Sequence, residues 1–327
     1  MSEKKMTSIG GQAIIEGVMM KGPEKIAMAV RKPDGEIIIE KKDLKKKSVF
    51  FKIPIIRGVF AFVDSMVTGV DALMFSAKFY DDDGNPIEEK QESKKERIEN
   101  KEKKKKEKDK KEKKDDGELT PAMMYGSVCL SVIITILLFI ALPNFIAGLV
   151  VDKESSVVLY NAIESIVKIA IFTGYLALVS QMKDIQRVFQ YHGAEHKSIF
   201  CYENGEELTV ENVKKYTRFH PRCGTSFLLF VMIVSIIVFS VMGRFESRLL
   251  NVVIRIALMP VIAGLSYEII RFAGKNVDNK WVSWLSKPGL WLQRLTTREP
   301  DEKQIEVAIA SLKAVIPGDS KMDEWGN

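Results

Sequence analysis

The chain is poor in the residues that carry most protein chemistry. Among 327 residues there are three histidines and three cysteines. Cys129, Cys201 and Cys223 show no disulfide spacing, and Cys129 lies inside an apolar run. That usage fits a reducing, cytosolic face. No G-x-x-x-x-G-K-[ST] stretch is present, so a P-loop nucleotide site is excluded. The glycine-marked stretches GGQAIIEG and GAEH read as packing or turn features. The start, MSEKKMTSIGGQAIIEG, has no uninterrupted apolar core and is broken by Glu16, so it does not read as a signal peptide. Residues 87–118 contain no aromatic residue and are mostly Lys, Glu and Asp. Such a segment buries no core and reads as a solvated tether, the alternative being contact with anionic lipid or ribosomal RNA. Its acids and bases are intermixed and no aromatic stacking platform accompanies them, which argues against specific nucleic-acid binding.

Long uncharged runs are what the chain does have. Residues 122–142 and 224–243 carry no charge over 21 and 20 positions. About 20 apolar residues in a helix span a bilayer core. Two further runs are apolar but polar-marked: 157–182 with Glu164 and Lys168, and 249–272 with Arg255, Pro260 and Glu268. The expected fold class is an α-helical integral membrane protein with four transmembrane helices. A small N-terminal cytosolic β unit and an interfacial amphipathic helix complete it. Glu164 and Lys168 are spaced to pair along one helix face, and Arg255 to meet Glu164 or to snorkel. These read as glue between helices, with an ion or substrate pathway as the alternative.

Loop charge sets the expected orientation. Residues 183–223 hold seven Lys/Arg, whereas 151–156 hold one and 244–248 two. Lys and Arg stay on the cytosolic side, so both termini and the 183–223 loop are expected there, in a multi-pass protein of the cytoplasmic (inner) membrane. Residues 53–80 are also long enough to span. Their charges, Arg57, Asp64, Asp71 and Lys78, recur every seven residues and so share one stripe. Both flanks are strongly basic, which favours a helix lying in the interface, or buried against protein, over a fifth span.

The expected organisation is therefore a cytosolic β unit over 1–50, an amphipathic helix over 51–80 and a charged linker over 81–118. A four-span membrane domain follows over 119–275, with its His/Cys loop at 183–223. An interfacial tryptophan segment and a cytosolic helix occupy 276–327. Within the β unit, Lys32-Pro33-Asp34-Gly35 predicts a hairpin turn. Trp281, Trp284 and Trp291 follow the last span, where tryptophan favours the interfacial layer. Asp301 to Ile316, after Pro300, predicts a short amphipathic helix.

All three histidines fall within 29 residues, in YHGAEHK (His192, His196) and FHPRC (His220). On a helix, positions 192 and 196 differ by one turn plus about 40°, so both imidazoles reach one ion. Glu195 sits at the edge of that face. This is an H-x-x-E-H arrangement, in which two histidines hold zinc and the glutamate takes a proton from the water that the metal acidifies towards about pKa 7. A third ligand is needed, and His220 and Cys223 are the first candidates, just ahead of a span. Cys201 and Glu268 come next. The expected metal is Zn²⁺. The competing readings are histidines that bond loop carbonyls or Glu195, and a closed structural His/Cys site.

GGQAIIEGVMMKGP, YHGAEHKSIFCYE, HPRCGTSFLL and TTREPDEKQIEVAIASL together resemble the uncharacterised bacterial membrane family typified by YqhQ, over nearly the whole chain outside the linker. The resemblance implies a predicted metal-dependent enzyme, with His192, Glu195, His196, His220 and Cys223 in the family-like motifs. It implies no substrate. Two functions follow. One is a metal-dependent membrane hydrolase acting at the cytosolic membrane surface, with Glu195 as general base. The other is a non-catalytic membrane scaffold or accessory to membrane-protein insertion, partnered by translocation machinery, with a structural His/Cys site. Four spans with few buried charges leave a transporter little pathway.

Overall fold

The computed structural model describes residues 6–44, 53–80, 121–151, 157–242, 247–276, 279–319 and 322–324. The charged linker expected over 81–118 lies outside them. The chain is mostly helical with one small antiparallel sheet.

The sheet is a meander, β1 (Gly10–Ile14), β2 (Gly17–Lys21), β3 (Lys25–Arg31) and β4 (Ile37–Asp43), in order β1-β2-β3-β4. The predicted turn closes β3 onto β4. Gly35 has φ 91°, and its N–H donates to the Lys32 carbonyl at 2.9 Å. Positive φ costs glycine nothing. The GGQAIIEG stretch is itself a hairpin, β1 and β2 meeting around Ile15-Glu16. Strand side chains alternate faces, and both faces of β2 and β3 are covered. Val18, Met20, Ala27 and Ala29 join one core with residues of α5 (Lys183–Glu203) and α10 (Glu302–Val315). Met19, Met28 and Val30 join another with Ala72 and Phe75 of α1 (Ile56–Ser76). The β unit, the His/Cys loop and the C-terminal helix, distinct segments in sequence, thus fold as one body. α10 begins where Asp301 and Gln304 form a capping box.

Among the described residues five helices, not four, are long and apolar enough to cross a membrane: Ile56–Ser76, Leu130–Val150, Leu159–Val179, Gly224–Met242 and Leu249–Lys275. The first expected span, 122–142, lies within one continuous helical run from Pro121 to Val150. Helix α2 (Pro121–Ile136) runs through a π turn at Leu137–Ala141 into α3 (Leu142–Val150). Pro143 has no N–H to give to the preceding turn, and a π turn absorbs the mismatch. α4 (Val157–Val179), α7 (Gly224–Met242) and α8 (Arg248–Lys275) supply three more. The fifth is α1, whose charged stripe is partnered by protein. Arg57 pairs with Glu268 of α8, Asp64 with Lys21 of β2, and Asp71 with Lys42 of β4 at 2.6 Å. Its outward residues Val63, Met66, Val67 and Val70 are exposed and apolar. At its N-terminal end Gly58 lies directly against Gly264 of α8. α1 therefore bridges the helix bundle and the sheet.

The ionisable residues of the apolar helices meet as their spacing predicts. Glu164 of α4 pairs with Arg255 of α8, and Lys168 stands 3.8 Å from the same carboxylate. Phe239 of α7 packs under both cations, at 4.7 Å from the Arg255 guanidinium and 5.3 Å from Lys168. Glu164 and Arg255 are both buried. Removing one member of a buried ion pair costs about 3–5 kcal/mol, because the other charge stays behind unpaired. Glu164→Gln is expected to lower thermal stability in detergent on that scale. Adding Arg255→Leu to it is expected to restore most of the loss, read by the melting temperature of the purified protein.

Candidate metal centre

Helix α5 carries YHGAEHK on the face that meets the sheet and the C-terminal segment. The glycine in that motif has a specific task. A Cβ on Gly193 would lie 2.1 Å from the Arg298 carbonyl oxygen. Only glycine lets residues 296–300 cross α5 so closely. The crossing is fixed by the Arg298 N–H, which donates to the Phe189 carbonyl at 2.8 Å. It sets the Thr296 carbonyl 2.8 Å from His192 Nδ1. On the other side of the helix, the Arg218 carbonyl lies 2.5 Å from His196 Nδ1. A carbonyl only accepts, so each Nδ1 carries its proton and each Nε2 is left to face inward.

One ring nitrogen from each histidine and Cys223 Sγ lie within 4.8 Å of one another. His192 Nε2 is 3.2 Å from Cys223 Sγ. The imidazole centroids are 4.4 Å apart, as the four-residue spacing predicts. Glu195 Oε2 completes the group, 3.6 Å from His196 Nε2 and 3.9 Å from His192 Nε2. Tetrahedral zinc with bonds of about 2.0–2.3 Å separates its ligand atoms by roughly 3.3–3.7 Å. The donor set, two nitrogens, a thiolate and a neighbouring carboxylate, suits that ion. Nδ1-to-carbonyl bonds are the outer contacts that zinc-bound histidines ordinarily make.

The electrostatics run the same way. Burial alone would push the Cys223 thiol up, but the two imidazoles and their hydrogen bonds hold it well below its ordinary value. Burial opposes a charge on His192, yet the Cys223 sulfur, Glu195 and the Thr296 carbonyl raise it to about 9. Both shifts favour placing the proton between them on His192 rather than on Cys223, and metal ligation needs that thiol deprotonated. Burial raises Glu195, only partly offset by the two histidines and by the Gly11 N–H. Gly11 comes from β1, and a Cβ there would lie 2.9 Å from Glu195 Cγ. The sheet therefore closes one side of the carboxylate.

The other candidates stand elsewhere. His220 does not join the trio. Its Nδ1 accepts from the Arg222 N–H at 3.3 Å, and its Nε2 faces Glu203 at 3.6 Å. Its ring packs on Phe200 at 4.5 Å, and burial holds its pKa down to about 4. Between the two candidates for third ligand, the turn at Pro221 directs Cys223 inward and His220 sideways. Cys201 is buried against the Glu206 and Glu207 carbonyls, and burial pushes its thiol up to about 11. Glu268 is held by Arg57. The chain pattern gave no sign of Thr296, Arg218 or Gly11, because they act through backbone atoms. Gln293 was also missed: its amide makes two bonds to the His220 backbone, at 2.8 and 2.7 Å. Glu203 was missed too, and it receives the Thr7 N–H at 2.8 Å and pairs with Arg222.

The class defined so far is a mostly helical protein with, among the described residues, five helices of membrane-spanning length and a small sheet, holding a largely buried His/His/Cys cluster at the start of an apolar helix. The family described as Protein of unknown function (DUF1385) matches residues 53–318, and the chain belongs to it. It is 37% identical over 314 residues to the Uncharacterized protein YqhQ of Bacillus subtilis (strain 168), covering 94% of this chain and 92% of that relative. No solved structure matches it.

The crossing at Gly193 makes a sharp expectation. Gly193→Ala forces residues 296–300 off α5 and should destabilise by about 1–3 kcal/mol, the scale of overpacking. Gly174→Ala, on α4 with open space around it, should be neutral or slightly stabilising, since alanine is the better helix former. Thermal melts of both proteins in one detergent check this.

Proposed function

We propose that this chain is a zinc-dependent hydrolase of the cytoplasmic membrane, its centre facing the cytosol beside the bilayer and both termini cytosolic. One observation carries the reading. Two backbone carbonyls hold the histidines so that both Nε2 atoms converge on Cys223 Sγ, with the Glu195 carboxylate alongside. His192, His196 and Cys223 would hold the ion. The ion, when bound there, would supply Lewis acidity towards water and a carbonyl. Glu195, whose carboxylate burial makes more basic, would take the proton of the attacking water and return it to the leaving group. The Gly11 N–H and the packed glycine orient that carboxylate. Amide and ester bonds presented at the membrane surface are the fitting substrates. The orientation rests on the seven Lys/Arg of 183–223 against the few in the opposite loops.

A second reading draws on burial. Glu195, His196 and Cys223 are 4%, 2% and 6% exposed, as in a closed structural site. The cluster would then staple α5 to the start of α7 in a non-catalytic membrane scaffold, or in an accessory that works with membrane-protein insertion machinery.

Elemental mass spectrometry of detergent-purified protein should find near-stoichiometric zinc, lost in His192→Ala and Cys223→Ala and kept in His220→Ala. Protein purified without chelator and free of metal would sink the hydrolase reading and leave the scaffold, with the histidines as loop-packing residues. Glu195→Gln separates them. As general base its loss should cut turnover on a panel of amide and ester substrates by about 10²–10⁴-fold, with zinc retained. A staple leaves no turnover to lose.

A further inference from the structure

Helix α9 (Lys280–Thr296) has two unlike faces. Its inner face serves the body of the protein. Gly289 packs on Ser226 in the first turn of α7, Gln293 clamps the His220 backbone, and the Thr296 carbonyl orients His192. These contacts lay α9 across the end of the bundle where α7 begins and α8 finishes.

The outer face carries Lys280, Trp284, Lys287, Trp291 and Arg294, all exposed. Their spacing is four, three, four, three. Seven residues fall about 20° short of two full turns, so the five form one continuous stripe. Cation and indole alternate along it. No Asp or Glu occurs between positions 280 and 296. Among the described residues no acidic side chain pairs with any of the three cations. Trp284 and Trp291 are 66% and 54% exposed. Two indoles left open to water on an otherwise well-packed helix need an amphipathic partner.

The other outward helix face differs in kind. On α1 the exposed residues Val63, Met66, Val67 and Val70 offer no cation between them, which suits acyl chains. On α9 the charge complement is anionic, and the indoles suit the headgroup and glycerol layer where tryptophan partitions. Three cations on one stripe at the end of the apolar helices match a row of phosphodiesters in a charged bilayer surface.

We propose that α9 is an in-plane anchor for anionic phospholipids, with phosphodiester headgroups docked on Lys280, Lys287 and Arg294, and with Trp284 and Trp291 seated between them. The proposal is independent of any metal. It adds a lipid preference to a helix whose inner face holds the imidazole of His192 and the backbone of His220.

The test is quenching of tryptophan fluorescence in proteoliposomes of the full chain. Phosphatidylcholine vesicles would contain equal mole fractions of either dibrominated phosphatidylglycerol or dibrominated phosphatidylcholine. The brominated phosphatidylglycerol should quench at least about twice as strongly, since each cation favours an anionic neighbour roughly five-fold. The excess should vanish in Lys280→Gln/Lys287→Gln/Arg294→Gln. It should shrink in Trp284→Phe/Trp291→Phe, which removes the reporters. It should survive in Lys280→Arg/Lys287→Arg, which keeps the charge and controls for folding. Equal quenching by the two lipids overturns the proposal, as does an excess that the triple glutamine variant retains. An excess abolished by inorganic phosphate would assign the stripe to a soluble anion and overturn it too.

Discussion

Where residues 296–300 cross α5 at Gly193, two backbones come closer than any side chain would allow. The rest of the candidate centre depends on that contact. It brings a carbonyl to His192 Nδ1, which fixes the proton on the outer nitrogen and turns Nε2 towards Cys223. It also places α10 next in the chain, where the capping box starts a helix that covers the sheet. The sheet in turn brings Gly11 against Glu195. A single close approach thus couples the C-terminal segment, the histidine helix and the N-terminal strands.

Charge pairing joins the layers in a second way. Glu16, at the β1–β2 turn, holds Arg187 and accepts from Tyr191 of α5. Arg57, Asp64 and Asp71 of α1 divide their partners between the helix bundle and the sheet. The more exposed of these pairs, Asp64–Lys21 and Asp71–Lys42, contribute little stability each. Their value is in register: one seven-residue repeat fixes which side of α1 faces protein. Inside the apolar helices the Glu164–Arg255 pair works under stricter terms, because an unpaired charge there has no water to turn to.

The chemistry of the centre follows from its surroundings more than from its residue list. A lone histidine–cysteine pair in water would not hold a thiolate at neutral pH. Burial opposes it, and two fixed imidazoles more than overcome that opposition. The same imidazoles only partly offset the burial of Glu195. Neighbouring acids are thus pushed in opposite directions by one cluster, which separates a ligand from a group able to carry a proton.

The sequence by itself determined the apolar helices, the hairpin at Lys32–Gly35, the α10 boundary and the pairing of positions 192 and 196, because each is written in local periodicity or turn chemistry. The repeat of Arg57, Asp64 and Asp71 was legible as a stripe. It did not show that three partners would satisfy those charges and leave a fifth helix apolar enough to span. The third member of the cluster was open between His220 and Cys223, three residues apart. Tertiary structure decided it, because the turn at Pro221 and the Gln293 clamp set which side chain points inward. Thr296, Arg218 and Gly11 act through backbone carbonyls and an N–H that every residue possesses. No residue pattern announces such a role, and only the packing of distant segments creates it.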